Sequence, residues 1–360
     1  MRRTHFEAFK PLCPACLGDQ RGPRALLLAR IADVQGDDII AGILHCPDPN
    51  CRHEYPIIHG IPIIVPNLQL LLNERAIELL LRDDLDPSLE SLIGDALGPG
   101  SWFDVLRQTV STYAWDGWAD LDPTEPPPGT GPHPGAVRRC LVRLLELAGP
   151  VTATRVLDVG CGAGRTVFDL AARHPDALVL GLDTNLALLR LARDAAKGSI
   201  SYPRRRIGLV YDRRCFPVSI DGAEQVDFWA CDALSLPFAP DTADLVSALN
   251  VLDCVAEPAR LLQALAGSAR PGGKVLLASP YDWSTRATPV ETWIGGHSQR
   301  ADHAGAAEPF LKTLLTEGAH PQSAAGLRLL AEELEWPWHT RLHDRAAVHY
   351  RSHLLALARY

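Results

Sequence analysis

The stretch that most constrains the fold is Arg155–Arg165, RVLDVGCGAGR, near the middle of the 360-residue chain. Val156, Leu157 and Val159, around Asp158, have the apolar character of a buried strand. They run straight into Gly160, Gly162 and Gly164, and TVFDLAARH follows with helical spacing. A strand, a tight glycine turn and a helix in this order open an α/β unit. The glycines are expected to take positive φ and to leave room for a ligand that a Cβ would block. Dinucleotide-binding folds place G-x-G-x-x-G after the strand. Here the order is D-x-G-x-G-x-G, with the acid inside the strand.

An acid before the first glycine resembles motif I of the class I S-adenosylmethionine (SAM) methyltransferases, and four later features fall in that family's order. LVLGLDTN (178–185) reads as a second strand ending in Asp183 and Thr184, with Asp183 placed to accept the ribose hydroxyls. VDFWACDALSLPF brings Asp232 and Ala233 to where the family holds the adenine amino group. ADLVSALNVLDCV (243–255) reads as strand four and its exit past Asn250, with a helix over about 257–269. RPGGKVLLASP gives a Pro-Gly-Gly turn into strand five. The resemblance implies SAM as cofactor, held by Asp158, Gly160, Cys161, Gly162, Gly164, Asp183, Thr184, Asp232, Ala233 and Asn250. It implies an α/β fold with a Rossmann-like, seven-stranded sheet.

The first 66 residues carry Cys13-Pro-Ala-Cys16 and, a hairpin's length later, Cys46-Pro-Asp-Pro-Asn-Cys51. Two cysteine pairs at this separation suit one tetrahedral zinc ion held by four thiolates, with His45 or His53 as possible substitutes for one of them. The following HEYPIIHGIPIIVP resembles the ending of the small zinc-ribbon proteins that bind and activate RNA and protein methyltransferases. Residues 1–66 are therefore read as a zinc-ribbon-like domain, 67–135 as a helical linker or lid, and 136–360 as the methyltransferase domain. In the linker, LQLLLNERAIELLLRDDL predicts a helix buried on a broad face. SWFDVLRQTVSTYAWDGW (101–118) predicts a helix whose Tyr113, Trp115 and Trp118 either pack in the core or cover the cofactor and substrate. DPTEPPPGTGPHPG reads as an extended segment, and AVRRCLVRLLELAG as the helix before motif I.

Between the second helix of the catalytic domain (185–197) and its third strand, an alternating stretch predicts a β-hairpin with Arg204, Arg205, Arg206, Arg213 and Arg214 clustered on it. That cluster is either a solvated charged loop or a site for a carboxylate or an RNA phosphate. Past strand five, SPYDWSTRATPVETWIGGHSQR holds Tyr281, Trp283, Glu291, Trp293 and His297, where loops leaving a doubly wound sheet line the ligand crevice. Its S-P-Y-x-W and T-P-x-E-x-W-x-G-G patterns, and the tail PWHTRLHDRAAVHYRSHLLALARY, resemble the ovothiol-type methyltransferases that methylate an imidazole nitrogen of 4-mercaptohistidine. The resemblance covers roughly residues 150–360. It implies those five residues as substrate contacts, and the tail as the antiparallel pair that closes the sheet.

The expected function is therefore SAM-dependent methylation of a small amino-acid-derived nucleophile, an imidazole nitrogen or a thiol. Two rivals remain open: an RNA or protein methyltransferase that uses the ribbon for recognition, and a non-catalytic SAM-binding partner protein. A net charge of -8 with lysine only at positions 10, 197, 274 and 312 counts against a nucleic-acid partner. The chain has no run of 18 apolar residues and no apolar segment after MRRTHFEAFKPLC, so the sequence predicts a cytoplasmic protein without a membrane partner. Nine dispersed cysteines fit thiols or metal ligands in a reducing compartment.

Overall fold

The computed structural model of the chain describes residues 1–19, 22–80, 85–127, 129 and 131–360, without the side chains of 76, 77, 79 and 80. Helices α1 (Arg3–Phe9) and α2 (Pro14–Gly18) precede an antiparallel meander of β1 (Leu27–Gln35), β2 (Asp38–His45), β3 (Glu54–Ile58) and β4 (Ile61–Ile64). Three helices follow: α3 (Leu68–Leu80), α4 (Pro87–Leu97) and α5 (Trp102–Trp118). Residues 81–84, in the helix read over 68–85, and 128 and 130, in the proline-rich segment, lie outside the described residues. Leu71 is buried but Leu70 is exposed, so α3 buries a narrower face than its leucines suggest.

The part after the helices opens with α6 (Ala136–Ala148), then β5 (Arg155–Val159), α7 (Arg165–Arg173), β6 (Leu178–Asp183) and α8 (Leu186–Ala196). The hairpin β7 (Ser199–Ile207) and β8 (Val210–Pro217) comes next, followed by β9 (Val226–Cys231), β10 (Ala243–Leu249), α9 (Pro258–Ser268), β11 (Ala269–Ser279), α10 (Ala307–Leu315), β12 (Leu327–His343) and β13 (Ala346–Arg359). The sheet runs β9-β6-β5-β10-β11-β13-β12. Its first five strands are parallel, and β13 is inserted antiparallel between β11 and β12. Every residue of β9 and β10 is buried, as expected of parallel strands covered on both faces. Strand order reverses between β5 and β10, which opens a crevice at their carboxyl ends.

The N-terminal meander continues this sheet. Ile63 and Ile64 of β4 pair in parallel with Ala230 and Cys231 of β9, extending it to eleven strands. One apolar core crosses the junction, with Phe9 edge-on to Trp229 at 6.3 Å and 5.9 Å from Phe238. Beneath it, Arg193 bridges Asp38 and, at 2.6 Å, Asp227, which also accepts from the Trp229 indole at 2.8 Å. Burial pushes the Asp227 carboxyl up, but the N-terminal ammonium and Arg193 outweigh it and hold the group at about 2. A depressed carboxyl stabilises the fold above its unfolded pKa and loses that contribution as pH falls through the folded value, here from about 4 toward about 2. Asp227→Asn should lower unfolding free energy by about 3 kcal/mol at neutral pH, because it leaves Arg193 buried with one carboxylate fewer. Urea titration reads that loss, and an unchanged midpoint would contradict it.

Two local expectations change. The Pro-Gly-Gly sequence lies inside β11, where pairing with β10 shifts register between Ala269 and Lys274. Three arginines of the β7–β8 hairpin face inward, whereas Arg205 bonds Gly208 O at 2.9 Å on the exposed turn and Arg206 stays exposed, 3.7 Å from Asp212. Arg204 is buried on Glu125 at 2.7 and 2.8 Å and on Asp344 at 2.8 Å. Arg213 holds Glu90 at 2.5 Å, and Arg214 lies 3.5 Å from Asp122 and Glu125. The guanidiniums of Arg204, Arg213 and Arg214 tie the hairpin to acids of other segments, so these three are not open to a phosphate, and only Arg205 and Arg206 keep the solvated-loop reading. Among the described residues no helix is long and apolar enough to cross a membrane.

Candidate active site

The glycine loop leaves β5 and turns into α7 with φ of 73° at Gly160, 52° at Gly162 and 81° at Gly164. The amides of Gly160 and Cys161 bond to Leu182 O at 2.7 and 3.0 Å, and Gly162 N bonds to Asp183 Oδ2 at 2.9 Å, so β6 clamps the loop. The reason for glycine differs along the loop. A Cβ on Gly164 would stand 2.5 Å from Ala192 Cβ and 2.8 Å from Phe228 Cε1, and one on Gly160 would run into Val251. Only Gly162 keeps an open side, its nearest neighbour being Tyr113 Cδ1 at 3.8 Å. Two of the three glycines thus serve packing, and one leaves space for a ligand. Gly164→Ala should cost roughly 2–4 kcal/mol from strain at positive φ and overpacking. A chemical denaturation midpoint within error of the parent would contradict that.

Around the loop stand the expected acids. Asp158 is buried, accepting from Ser247 Oγ at 2.6 Å and from the Thr166 hydroxyl, and burial pushes its carboxyl up to about 6. It lies behind the loop and joins β5, β10 and α7. Asp183 is half-buried at the end of β6, with Oδ1 accepting from Asn185 N at 2.8 Å and Oδ2 from Gly162 N. Each oxygen keeps a lone pair for a further donor. Burial raises this carboxyl too. Cys161 is buried, whereas Thr184, Asp232 and Ala233 are half-buried, Asp232 Oδ1 accepting from Leu234 N at 2.9 Å. Asn250, at the end of β10, holds a left-handed φ of 55°, and its Oδ1 is buried without a hydrogen-bond partner. Backbone strain at a sheet's carboxyl edge accompanies functional placement.

The loop after β11 brings together three of its five expected residues. Trp283 and Trp293 stack at 6.2 Å and 15°, and Tyr281 lies 6.2 Å from Trp283, with φ 56°. Tyr281 is locked from behind: its hydroxyl bonds to His353 Nδ1 at 2.7 Å, and His353 Nε2 lies 3.1 Å from Glu332 Oε2. The carboxylate assigns the imidazole hydrogen to Nε2, so Nδ1 accepts from the phenol. Glu291 and His297 are exposed and stand outside this run.

Sequence reading missed Asp253, Asp282, Tyr350 and His353. Asp253 sits inside the strand-four exit, and the tyrosine and histidine lie in a tail read only as closing strands. Tyr350 Oη donates to Asp282 Oδ2 at 2.8 Å, and Asp282 N donates to Asp253 Oδ2 at 2.7 Å. From α5, Tyr113 leaves 52% of its surface open. Its phenol end is desolvated although the rest of the ring is open, and this, then the charges of Cys254, Asp183 and Asp253, pushes it up. Trp115 and Trp118 are core residues instead, bonded to Glu125 Oε1 at 2.8 Å and Ala163 O at 3.0 Å.

At the other end of the sheet the Sγ atoms of Cys13, Cys16, Cys46 and Cys51 all lie within 4.8 Å of one another, with Cys13–Cys51 at 3.7 Å and Cys16–Cys46 at 3.6 Å. Thiolates about 2.3 Å from a tetrahedral zinc stand about 3.8 Å apart, so the cradle has the right size. His53 Nδ1 lies 3.3 Å from Cys51 Sγ and Tyr55 Oη 3.2 Å from Cys13 Sγ; both brace a thiol, and neither replaces one.

Residues 157–277 match a family model described as a methyltransferase domain. The trans-aconitate 2-methyltransferase of Methylobacterium radiotolerans is 32% identical over 232 residues, which cover 51% of this chain and 85% of that enzyme. The ubiquinone biosynthesis O-methyltransferase of Bordetella pertussis is 31% identical over 134 residues, 37% of this chain and 46% of that enzyme, so the match spans less than half of it. Among solved structures, the [4+2]-cyclase SpnF covers 75% of this chain and 96% of its own, at 17% identity and a TM-score of 0.45.

Proposed function

Because the chain belongs to the class I SAM-dependent methyltransferases, we propose that it methylates a small amino-acid-derived nucleophile, an imidazole nitrogen or thiol of the mercaptohistidine kind. The observation that carries this reading is the run of rings from Trp293 through Trp283 to Tyr281, at the carboxyl end of β11. Flat faces at that edge suit a planar heteroaromatic acceptor. The names of both relatives above refer to small molecules, which supports an acceptor of that size. The inward pairing of Arg204, Arg213 and Arg214 weakens the arginine cluster as a support for an RNA acceptor and leaves that reading resting on the four-cysteine segment.

The cofactor would lie along the open side of Gly162. Asp183 has one lone pair left on each oxygen for the ribose hydroxyls, and Asp232 and Ala233 would border the adenine. Bound SAM supplies an electrophilic methyl on a sulfonium. The protein's part is to hold an unprotonated nucleophile in line with it. In this reading Asp158 positions the loop, and Tyr113 covers the cofactor from residues 67–135. Zinc would occupy the four-cysteine cradle as a structural ion, and free thiolate ligands suit a reducing compartment such as the cytoplasm.

Incubation with SAM and 4-mercaptohistidine, histidine, imidazole or simple thiols, read by mass spectrometry, tests the reading. A product one methyl heavier is expected from at least one of these. Methylation of trans-aconitate with none of them would overturn it.

A further inference from the structure

Of the groups lining the crevice, Asp253 is the least accounted for. The residue is 4% exposed, Oδ2 accepts from Asp282 N, and Oδ1 is buried with no hydrogen-bond partner, although the Ser279 hydroxyl stands beside the carboxyl. Three residues upstream in the same turn, Asn250 Oδ1 is buried and unpartnered as well. A buried acceptor without a donor is destabilising, and an uncompensated buried carboxylate more so. Such groups persist where a ligand completes them.

The surroundings define that ligand. Asp282, of the same sign, adjoins Asp253 through its amide, and the phenols of Tyr113, Tyr281 and Tyr350 lie within reach of the Asp253 charge. Asp183 acts in turn on Tyr113 and on Cys254, the next residue in the chain. Tyr350 is fixed on Asp282 at 2.8 Å, so the carboxylate at the rim is held in place by β13. Two carboxylates, an amide oxygen and tyrosine faces make a pocket for a cation that donates hydrogen bonds. They oppose a polyanion.

Taking the acceptor to be a small molecule, as the proposed function does, we infer that Asp253, Asn250, Asp282 and Tyr350 form a binding site for a protonated amino group on that acceptor. The acceptor is thus an ammonium-bearing compound, such as an amino acid or a biogenic amine, and the carboxylate-rich class named for the trans-aconitate relative is excluded. Asn250, expected from the sequence to hold SAM, is assigned to the acceptor in this reading: it and Asp253 supply the inner contacts, and Asp282 with its Tyr350 partner supplies the rim.

Methyl-labelled SAM and the small-molecule fraction of a cell extract, incubated with the full chain, provide the test. The labelled product should bind a cation exchanger in weak acid, and prior acetylation of amines in the extract should abolish labelling. Product that flows through, or labelling that survives acetylation, overturns the ammonium site while leaving a small-molecule methyltransferase standing. Absence of any label from the small-molecule fraction overturns the reading on which the site rests. Asp253→Asn should raise the extract concentration for half-maximal labelling at least tenfold with SAM affinity unchanged, and Tyr350→Phe should raise it severalfold. Should SAM affinity fall instead, the acids serve the cofactor and the assignment fails.

Discussion

Replacing Asp183 by alanine should weaken SAM binding by roughly a hundredfold or more, measured by calorimetric titration. The carboxylate has two tasks. It accepts from Gly162 N and Asn185 N, which fixes the loop against β6, and it offers its remaining lone pairs to the ribose hydroxyls. Hydrogen bonds to a charged acceptor contribute about 1.5–3 kcal/mol each, so losing two of them reaches a factor of about a hundred. Alanine also orphans the Gly162 amide and loosens the one open glycine of the loop. Unaltered affinity would refute the placement of the ribose on Asp183.

The second large effect concerns the other end of the sheet. If the four-cysteine cradle holds the proposed zinc, Cys46→Ser should abolish its binding and lower the thermal midpoint of the whole chain by roughly 10 °C, from loss of several kcal/mol of metal-linked folding energy. The effect reaches the catalytic part because Cys13, Cys16 and Cys46 share one apolar core with Trp229 of β9 and Leu261 of α9. Elemental analysis with a thermal melt, in the presence and absence of chelator, checks both halves. A metal-free protein with an unmoved melt would show the four thiols to be ordinary buried cysteines.

The parts of the fold legible in the sequence are those set by local pattern. VDFWAC and ADLVSAL are apolar throughout because both faces of a parallel strand are covered, and RVLDVGCGAGR marks its strand, turn and helix by residue type alone. Long-range pairing leaves no such mark. Nothing local in GIPIIVP says that Ile63 and Ile64 pair with β9, so the ribbon is readable as a unit but its continuity with the sheet is not. The arginines of the hairpin look like a basic patch until Glu90, Asp122, Glu125 and Asp344 come to meet them from distant segments. The crevice follows the same division. Glycines and strand-end acids announce themselves by spacing, whereas Asp253 and Tyr350, 97 residues apart, are joined only through Asp282 once β13 lies beside β11. Among Tyr113, Trp115 and Trp118 of α5, helical spacing alone could not single out Tyr113 as the one left open.

The central claim, methyl transfer to a small nucleophile, is tested most directly by incubating the purified protein with methyl-labelled SAM and a whole extract, then counting small molecules, RNA and protein separately. Label confined to the small-molecule fraction is the predicted result. Label in RNA or protein would contradict it and make the four-cysteine ribbon a recognition element.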